Sequence, residues 1–205
     1  MIRKTRARSP KILSVREAAK QETREALLDA GLALFAKEGL DAPSLDAICA
    51  HAGLTRGAFY VHFQAREDFI VAVMQKATHG FLDAVLLGTE GGFDLERAIA
   101  AFAAMSSPAR FVSFGQIPPH QFFAACARSR ELRKYYVGFL EEARARIIKA
   151  ICAGQAARRM RADVDPAATA SLLVAIVLGV ETMGELHFPI DLAGGAAALL
   201  TLLRA

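Results

Sequence analysis

The feature that most constrains this sequence is a short turn between two small amphipathic segments. Leu45 and Ile48 precede the turn at a spacing that places both on one face of a helix. Leu54 and Phe59 follow it and supply a second apolar face. Gly53 lies between the two segments, and glycine adopts the left-handed backbone that a tight connection between helices requires. The pattern therefore predicts two short helices that close a small shared core, a helix-turn-helix.

Helical periodicity continues on both sides of this motif, and few stretches favour strands. Gly39 is placed to end the preceding helix in a left-handed cap. A glycine-rich stretch, 88–93, is predicted to join an N-terminal group of helices to a C-terminal group. The predicted helices cover about 22–38, 45–51, 55–61, 65–87, 94–106, 121–128, 131–155, 165–186 and 191–203. The predicted fold class is all-α, in two parts.

Composition narrows the class of protein. The 205 residues are 54% hydrophobic and 22% charged, which excludes a disordered chain and provides for a buried core. The charge-free stretch 166–180 is predicted to be too short and too rich in small and hydroxyl residues to span a bilayer. No apolar run follows the basic N-terminus as it does in a secretory signal. Three widely spaced cysteines are typical of reduced thiols and lack zinc-site spacing. We expect a soluble, cytoplasmic protein without a metal, a cofactor or a membrane partner.

Positive charge is concentrated at the N-terminus. The whole chain has a net charge of +4, whereas the residues after position 20 carry 18 basic and 20 acidic side chains. Within the first twenty residues, Glu17 alone opposes the basic residues Arg3, Lys4, Arg6, Arg8, Lys11, Arg16 and Lys20. Such an arm is typical either of a solvated, disordered tail or of a segment that contacts an anionic partner, nucleic acid first among them.

The second helix of the motif presents small residues beside one long cation. Thr55, Gly57 and Ala58 take little room, whereas Arg56 extends beyond them. A helix with this surface can enter the major groove of DNA, where an arginine bonds the edge of a guanine. An ordinary helical hairpin is the alternative, and the residues around the motif weigh against it.

Residues 23–69 resemble the TetR (tetracycline-repressor) family of bacterial transcription regulators. The resemblance lies in a first helix that ends LFAKEG and in the run AGLTRGAFYVHF, followed by a basic residue and an acid. It implies that Thr55, Arg56 and Gly57 face the bases at the start of a recognition helix. It also implies phosphate contacts from Ser44, Tyr60, His62 and Arg66. Arg66 replaces the usual lysine, and packing against the first helix is the alternative for Tyr60 and His62.

The resemblance further implies a homodimer joined by the last two helices. The residues support this independently, because Ser171, Ala175 and Gly179 place small side chains on one face of the predicted helix 165–186. Apolar residues surround the rest of that helix, and a monomer would leave them exposed.

A small-molecule pocket between the middle helices is also implied. An apolar cavity with few polar groups suits an apolar or amphipathic effector. His120 and Glu181 are candidate polar anchors, and plain core packing is the alternative for each lining residue. The candidate lining residues are Phe102, Met105, Phe111, Phe114, Phe122, Phe123, Cys126, Tyr136, Phe139 and Met183.

These features predict a DNA-binding regulator rather than an enzyme, since no metalloprotease, phosphate-loop or nucleophile-elbow motif occurs. Residues 1–20 are assigned to a basic, disordered arm, 21–66 to the helix-turn-helix domain and 67–205 to effector binding and dimerisation. The expected function is that of a repressor released from a palindromic double-stranded DNA operator by a small, largely apolar effector. The alternatives are an activator, an effector-independent regulator and a thiol-redox sensor using Cys126 or Cys152. Burial is expected for both of these thiols.

Overall fold

In a computed structural model, the chain is described over residues 14–79 and 119–205, together with Ile99 and Ile117. No strand occurs in the described residues, where one isolated bridge joins Met160 and Arg204. The predicted helix 94–106, the glycine-rich stretch 88–93 and the far end of the predicted helix 65–87 lie outside the described residues. The helices of the described ranges are α1 (Val15–Glu38), α2 (Leu45–His51), α3 (Arg56–Tyr60), α4 (Arg66–Thr78), α5 (Pro119–Arg128), α6 (Arg130–Ala156), α7 (Pro166–Glu185) and α8 (Leu192–Leu203). The predicted all-α class is confirmed.

The start of α1 lies further toward the N-terminus than periodicity predicts. The Ser14 hydroxyl accepts a hydrogen bond from the Glu17 amide at 3.2 Å, and the Glu17 carboxylate accepts one from the Ser14 amide at 2.9 Å. This reciprocal pair is a capping box, which satisfies two backbone donors that the first turn leaves open. Residues 15–20, which sequence analysis assigns to a disordered arm, are therefore helical.

Two glycines end helices in the way that their positive φ angles allow. Gly53 has φ +68°, and the Leu54 amide donates back to the Cys49 carbonyl at 2.8 Å, which closes α2 in a Schellman-type turn. Gly39 ends α1 with φ +89° but ψ 170°. The expected positive φ at Gly39 is confirmed, but its backbone is not the left-handed helical conformation that was predicted.

A cluster of four phenylalanines holds the N-terminal helices together. Phe59 of α3 packs its ring 5.3 Å from that of Phe63 and 5.2 Å from that of Phe69 in α4. Phe35 of α1 lies 5.9 Å from Phe69, and all four rings are buried. The short helix α3 is thus anchored by Phe59 to Phe69 of α4, and the Phe69 ring in turn packs against Phe35 of α1.

The buried core continues from α4 into the C-terminal helices. Met74 belongs to the same buried cluster as Phe122 of α5 and Tyr136 of α6. A second cluster joins α6 to α7 and α8 through residues such as Ile151, Ala170 and Leu203. Helix α4 therefore belongs to the cores of both predicted domains.

Helix α7 is long and apolar enough to cross a membrane by length and composition alone, which corrects the expectation drawn from the stretch 166–180. The charge-free stretch is shorter than the helix, because α7 continues past Glu181 to Glu185. Its buried positions nevertheless pack against α6, and the Glu181 carboxylate would be costly within a membrane span. One side of α7 is therefore part of the core that the described residues form.

Helical glycines provide a test of this packing. A Cβ built on Gly31 of α1 would lie 2.5 Å from the Phe69 ring and 2.9 Å from Val73, so Gly31→Ala should destabilise the fold by about 1–3 kcal/mol. A Cβ on Gly138, exposed on α6, would meet nothing within 4 Å, so Gly138→Ala should be neutral or gain up to about 1 kcal/mol. Thermal unfolding at one protein concentration measures both, and equal midpoints for the two variants would contradict the packing.

Candidate functional site

The exposed side of the helix-turn-helix is formed by the first turn of α3. Thr55, Arg56 and Gly57 are all exposed, and a Cβ added to Gly57 would have only the Thr55 hydroxyl within 4 Å, at 3.7 Å. The hydroxyls of Thr55 and Ser44 cap α3 and α2, accepting from the amides of Ala58 at 3.3 Å and Ala47 at 3.1 Å. Each capping oxygen still has its own O–H to donate. The surface is therefore small, open and rich in donors, as a groove-binding helix requires.

Arg56 is held over this surface by a carboxylate that sequence reasoning did not single out. Its Nε lies 3.3 Å from Oδ1 of Asp46, in the first turn of α2. Both side chains are more than half exposed, so the pair contributes little to stability. The ion pair instead orients Arg56. It uses Nε, so the other N–H groups of the guanidinium can bind a new partner.

Tyr60 and His62 lie at the far end of α3, in different environments. Tyr60 is 55% exposed, which argues against the alternative that it packs on α1. His62 is half-buried, and its pKa is lowered by that burial and by the positive charges of Lys20 and Arg24 on α1. Arg24 was not predicted as a site residue, although it stands one helical turn from Lys20, and its guanidinium lies 5.3 Å from the Phe63 ring centre. A cluster of cations from α1 thus borders the α3 surface.

Arg66 has an internal partner as well as its predicted role. Its Nη2 donates to the Leu40 carbonyl at 2.9 Å, and its guanidinium lies 5.9 Å from the Phe35 ring centre. The half-buried side chain therefore fastens the loop between α1 and α2 to the start of α4. A phosphate contact by Arg66 stays a prediction. It would use the guanidinium N–H groups that do not bind the Leu40 carbonyl.

The same loop is held from the C-terminal domain by residues that sequence reasoning missed. The Gln121 side chain of α5 accepts a hydrogen bond from the Leu40 amide at 3.0 Å, and Arg128 of α5 pairs with Asp41. Nothing in the local sequence indicates contacts between residues so far apart in the chain. Both backbone groups of Leu40 are consequently bound by side chains, one from α4 and one from α5.

The predicted pocket residues fall into three groups. Four of them, Phe102, Met105, Phe111 and Phe114, lie outside the described residues. Phe122, Phe123, Cys126 and Tyr136 are brought together where α5 meets α6, with the Tyr136 ring centre 6.1 Å from that of Phe122 and 6.0 Å from that of Phe123. Phe139 instead joins the second core cluster and borders an open cleft of about 840 Å³ between α4 and α6, and Met183 is exposed on α7.

The two predicted polar anchors differ in burial. His120 is mostly exposed, and its Nδ1 lies 3.1 Å from the Glu185 carboxylate. Glu181 is only 6% exposed, and its Oε2 has no hydrogen-bond partner among the described residues. Burial, and secondarily the charge of Glu185, raises the pKa of Glu181 to about 7. Burial raises the pKa of Tyr136, and the negative charge of Glu181 raises it further. Tyr136 on α6 therefore lies near this carboxylate.

The cysteines separate into two buried thiols and one exposed thiol. Cys49 packs in the helix-turn-helix core, and burial raises the pKa of both Cys49 and Cys126. The expected burial is confirmed for Cys126 and is wrong for Cys152, which is exposed on α6. Across the described ranges, the His, Cys, Asp and Glu side chains form no group of three that would hold a metal ion.

Comparison with known proteins matches this arrangement to a family. The model for bacterial regulatory proteins of the tetR family matches residues 27–73, from α1 into α4. Over these residues, the chain is similar to the TetR family. It is 39% identical over 62 residues to the HTH-type transcriptional regulator SrpR of Pseudomonas putida, a match that covers 30% of this chain and 29% of SrpR. The chain thus matches less than a third of that relative's length.

Two solved structures share the fold over most of the chain. A TetR-family transcriptional regulator from Cytophaga hutchinsonii matches with a TM-score of 0.81 at 17% identity, covering 95% of this chain and 99% of that protein. SmeT in complex with triclosan matches with a TM-score of 0.73 at 23% identity, covering 90% of this chain and 93% of SmeT. At these identities the likeness concerns the fold alone. It confirms the predicted plan of an N-terminal helix-turn-helix domain followed by a C-terminal helical domain.

The pKa of Glu181 predicts a pH-dependent stability. A carboxyl whose pKa is raised on folding favours the folded state while protonated, and that contribution is lost as pH rises from 4.5 through about 7. Glu181→Gln, which stays neutral, should therefore exceed the wild type in unfolding free energy by on the order of 2–3 kcal/mol near pH 8. Near pH 4.5 the two should agree.

Thermal unfolding at several pH values measures this difference. Glu142→Gln, on the exposed side of α6, is the matched control and should follow the wild type throughout. A Glu181→Gln advantage that is constant with pH would contradict the assignment, since it would not arise from ionisation.

Proposed function

We propose that this chain is a sequence-specific repressor that binds a palindromic operator in double-stranded DNA as a homodimer. A small, largely apolar effector bound among the C-terminal helices releases it. Residues 1–13 and the start of α1 form the basic arm, the helix-turn-helix continues to residue 66, and residues 67–205 bind the effector and the second subunit. The protein acts in the cytoplasm, without a cofactor.

The observation that carries this proposal is the open first turn of α3. Thr55, Arg56 and Gly57 are exposed together, and small neighbours let the helix approach base edges closely. Ser44 and Tyr60 flank this turn with hydroxyl donors, His62 adds a ring N–H, and Lys20 and Arg24 add positive charge beside it. Phosphate contacts from the flanks would set the register, and Arg56 would read a guanine in each half-site.

The proposal of a homodimer rests on the uncovered side of α7 and α8. Leu172 and Leu202 are 65% and 63% exposed, and Ile176 and Met183 are 45% exposed. Ser171 and Ala175 are exposed on the same helix, and a Cβ on Gly179 would meet nothing within 4 Å. Small residues flanked by large apolar ones allow a second helix pair to approach closely. A second copy of α7 and α8 would cover this face and complete a four-helix bundle.

Release by an effector requires a physical path between the two domains. Helix α4 shares its core with α5 and α6, and the hydroxyls of Thr78 and Tyr135 lie 2.5 Å apart. The Leu40 amide bound to Gln121 supplies a second connection, directly to the loop before α2. An effector that prefers the wrong separation of the two α3 helices lowers DNA affinity by its differential affinity for the two states. The complex of SmeT with triclosan supports a small, largely apolar ligand.

The alternatives give different results in one binding experiment. An effector-independent regulator would hold its operator in the presence of every ligand. A redox regulator would release it on oxidation. The raised pKa of Cys126 disfavours a reactive thiolate there, so the exposed Cys152 is the thiol that this alternative requires.

Selection of binding sites from random duplex DNA tests base reading by Arg56. The wild type should select an inverted repeat, because two α3 helices meet successive major grooves. Arg56→Ala should lose about 1–3 kcal/mol of binding free energy and relax one base position in each half-site.

The control for this experiment is Arg161→Ala, which removes the same charge from an exposed ion pair with Asp163 near the other end of the chain. It should leave affinity and base preference unchanged. Weak, sequence-independent binding by the wild type, unaffected by Arg56→Ala, would assign DNA binding to the basic arm alone.

Sedimentation equilibrium tests the dimer. Leu172→Glu places a charge in the centre of the proposed interface and should convert the dimer to a monomer, because the buried carboxylate would lack a partner. Val15→Glu makes the same change at a side chain that is 90% exposed at the start of α1, and it should leave the dimer intact. A Leu172→Glu protein that stays dimeric would show that the contact lies elsewhere.

A further inference from the structure

Asp46 is an acidic side chain on the surface that is proposed to face DNA. It is the one acidic residue of α2 and α3, and Arg56 is their one lysine or arginine. The two side chains are 68% and 58% exposed. DNA phosphates repel a carboxylate that comes close to them. Asp46 by itself therefore weakens DNA binding, and its place on this surface calls for a role that acts through Arg56.

The ion pair between Asp46 and Arg56 is not needed to hold the two helices in place. A pair so exposed contributes little to stability, because water screens it. Helix α3 is anchored by the buried Phe59, and α2 buries Ile48 and Cys49. Burial raises the pKa of the Cys49 thiol, the charge of Asp46 raises it further and the charge of Arg56 lowers it, so the pair lies close over this core. The fold should therefore tolerate loss of the pair.

The atoms that form the pair determine what Arg56 can still bind. Oδ1 of Asp46 lies 3.3 Å from Nε, which leaves both terminal nitrogens of the guanidinium for another partner. Two guanidinium N–H groups side by side bind O6 and N7 of guanine. Gly57 leaves room beside them, since its added Cβ would have only the Thr55 hydroxyl within 4 Å. Arg56 can thus bind a guanine while its pair with Asp46 stays intact.

A DNA phosphate as the partner of Arg56 would have the opposite effect. Arginine also binds phosphates with two parallel hydrogen bonds, so an unrestrained Arg56 could bind the backbone of any sequence. An Arg56 that turns from Asp46 to a phosphate leaves the carboxylate unpaired beside the polyanion. That repulsion is screened less where protein and DNA exclude water. Binding to the backbone is therefore penalised, whereas binding to a base edge is not.

Resting on the proposed repressor function, we propose that Asp46 is a positioning residue that sets base specificity through Arg56. Its carboxylate holds the guanidinium over the base edges and disfavours its binding to phosphates. Asp46 thus lowers affinity for DNA in general and raises the preference for the operator.

A double-mutant cycle on base preference tests this inference. The duplexes are the operator that the wild type selects, the same operator with adenine in place of the guanine whose preference Arg56→Ala loses, and an unrelated duplex of equal length. Asp46→Asn keeps the shape of the side chain and removes its charge. It should reduce the preference for guanine over adenine at least about fivefold. It should also bind the unrelated duplex more tightly, with a salt dependence steeper by about one for each subunit, because Arg56 gains a phosphate.

The same substitution in the Arg56→Ala protein should leave the preference at that base pair unchanged, because Asp46 acts through Arg56. A merely structural defect would instead weaken binding to all three duplexes alike. Asp163→Asn is the matched control, since it removes a carboxylate from another exposed ion pair, with Arg161. It should behave as the wild type does on every duplex.

Two results would overturn the inference. One is an Asp46→Asn protein that keeps the guanine preference of the wild type. The other is an equal change of preference in the Arg56→Ala protein, which would show that Asp46 contacts a base itself. A wild type that selects an operator, with Asp46→Asn equally selective, refutes only the role of Asp46. A wild type that selects no operator refutes the repressor, and the inference with it.

Discussion

The packing of Phe59 against Phe69 is the interaction on which the rest of the N-terminal domain depends. Helix α3 has only five residues, and a helix of that length is not stable in isolation. It exists because Phe59 is fully buried against Phe69 of α4. The absence of a side chain at Gly31 in turn lets Phe69 approach α1. With Phe59 fixed inward, the 3.6-residue period places Gly57 on the opposite side of α3. Arg56 is exposed because it lies in the open first turn, where it pairs with Asp46. The exposed surface is thus a consequence of the buried one.

The loop around Leu40 connects this domain to the helices that follow it. Its amide and carbonyl are bound by Gln121 and Arg66, so a shift of α5 or α4 acts on backbone rather than on a mobile side chain. Two groups of contacts, the shared core along α4 and this loop, therefore link the C-terminal helices to the position of α2 and α3. Coupling between sites needs a contiguous set of packed groups of this kind, although contiguity alone does not measure its free energy.

Helix α7 shows how one element serves two surfaces. Toward α6 it buries Ala170, Leu173 and Glu181, and on other sides it exposes Leu172 and Ile176. A helix that is apolar nearly all round is stable only when all of its faces are covered. The described residues cover one of them, and the helix also has the length and hydropathy of a membrane span.

The sequence by itself determined the features that depend on neighbours within about five residues. Helical periods, the capping hydroxyls of Ser44 and Thr55 and the turn at Gly53 are local, because a cap or a turn is closed by the adjacent amides and carbonyls. The capping box of Ser14 and Glu17 is also a local pattern in the sequence, but the positive charge of the N-terminal segment suggested a disordered arm instead. Only the tertiary structure decided the partners of Arg66 and Gln121, which lie 26 and 81 residues from Leu40, and the burial of Glu181. Such contacts arise from the packing of whole helices, and no spacing along the chain encodes them.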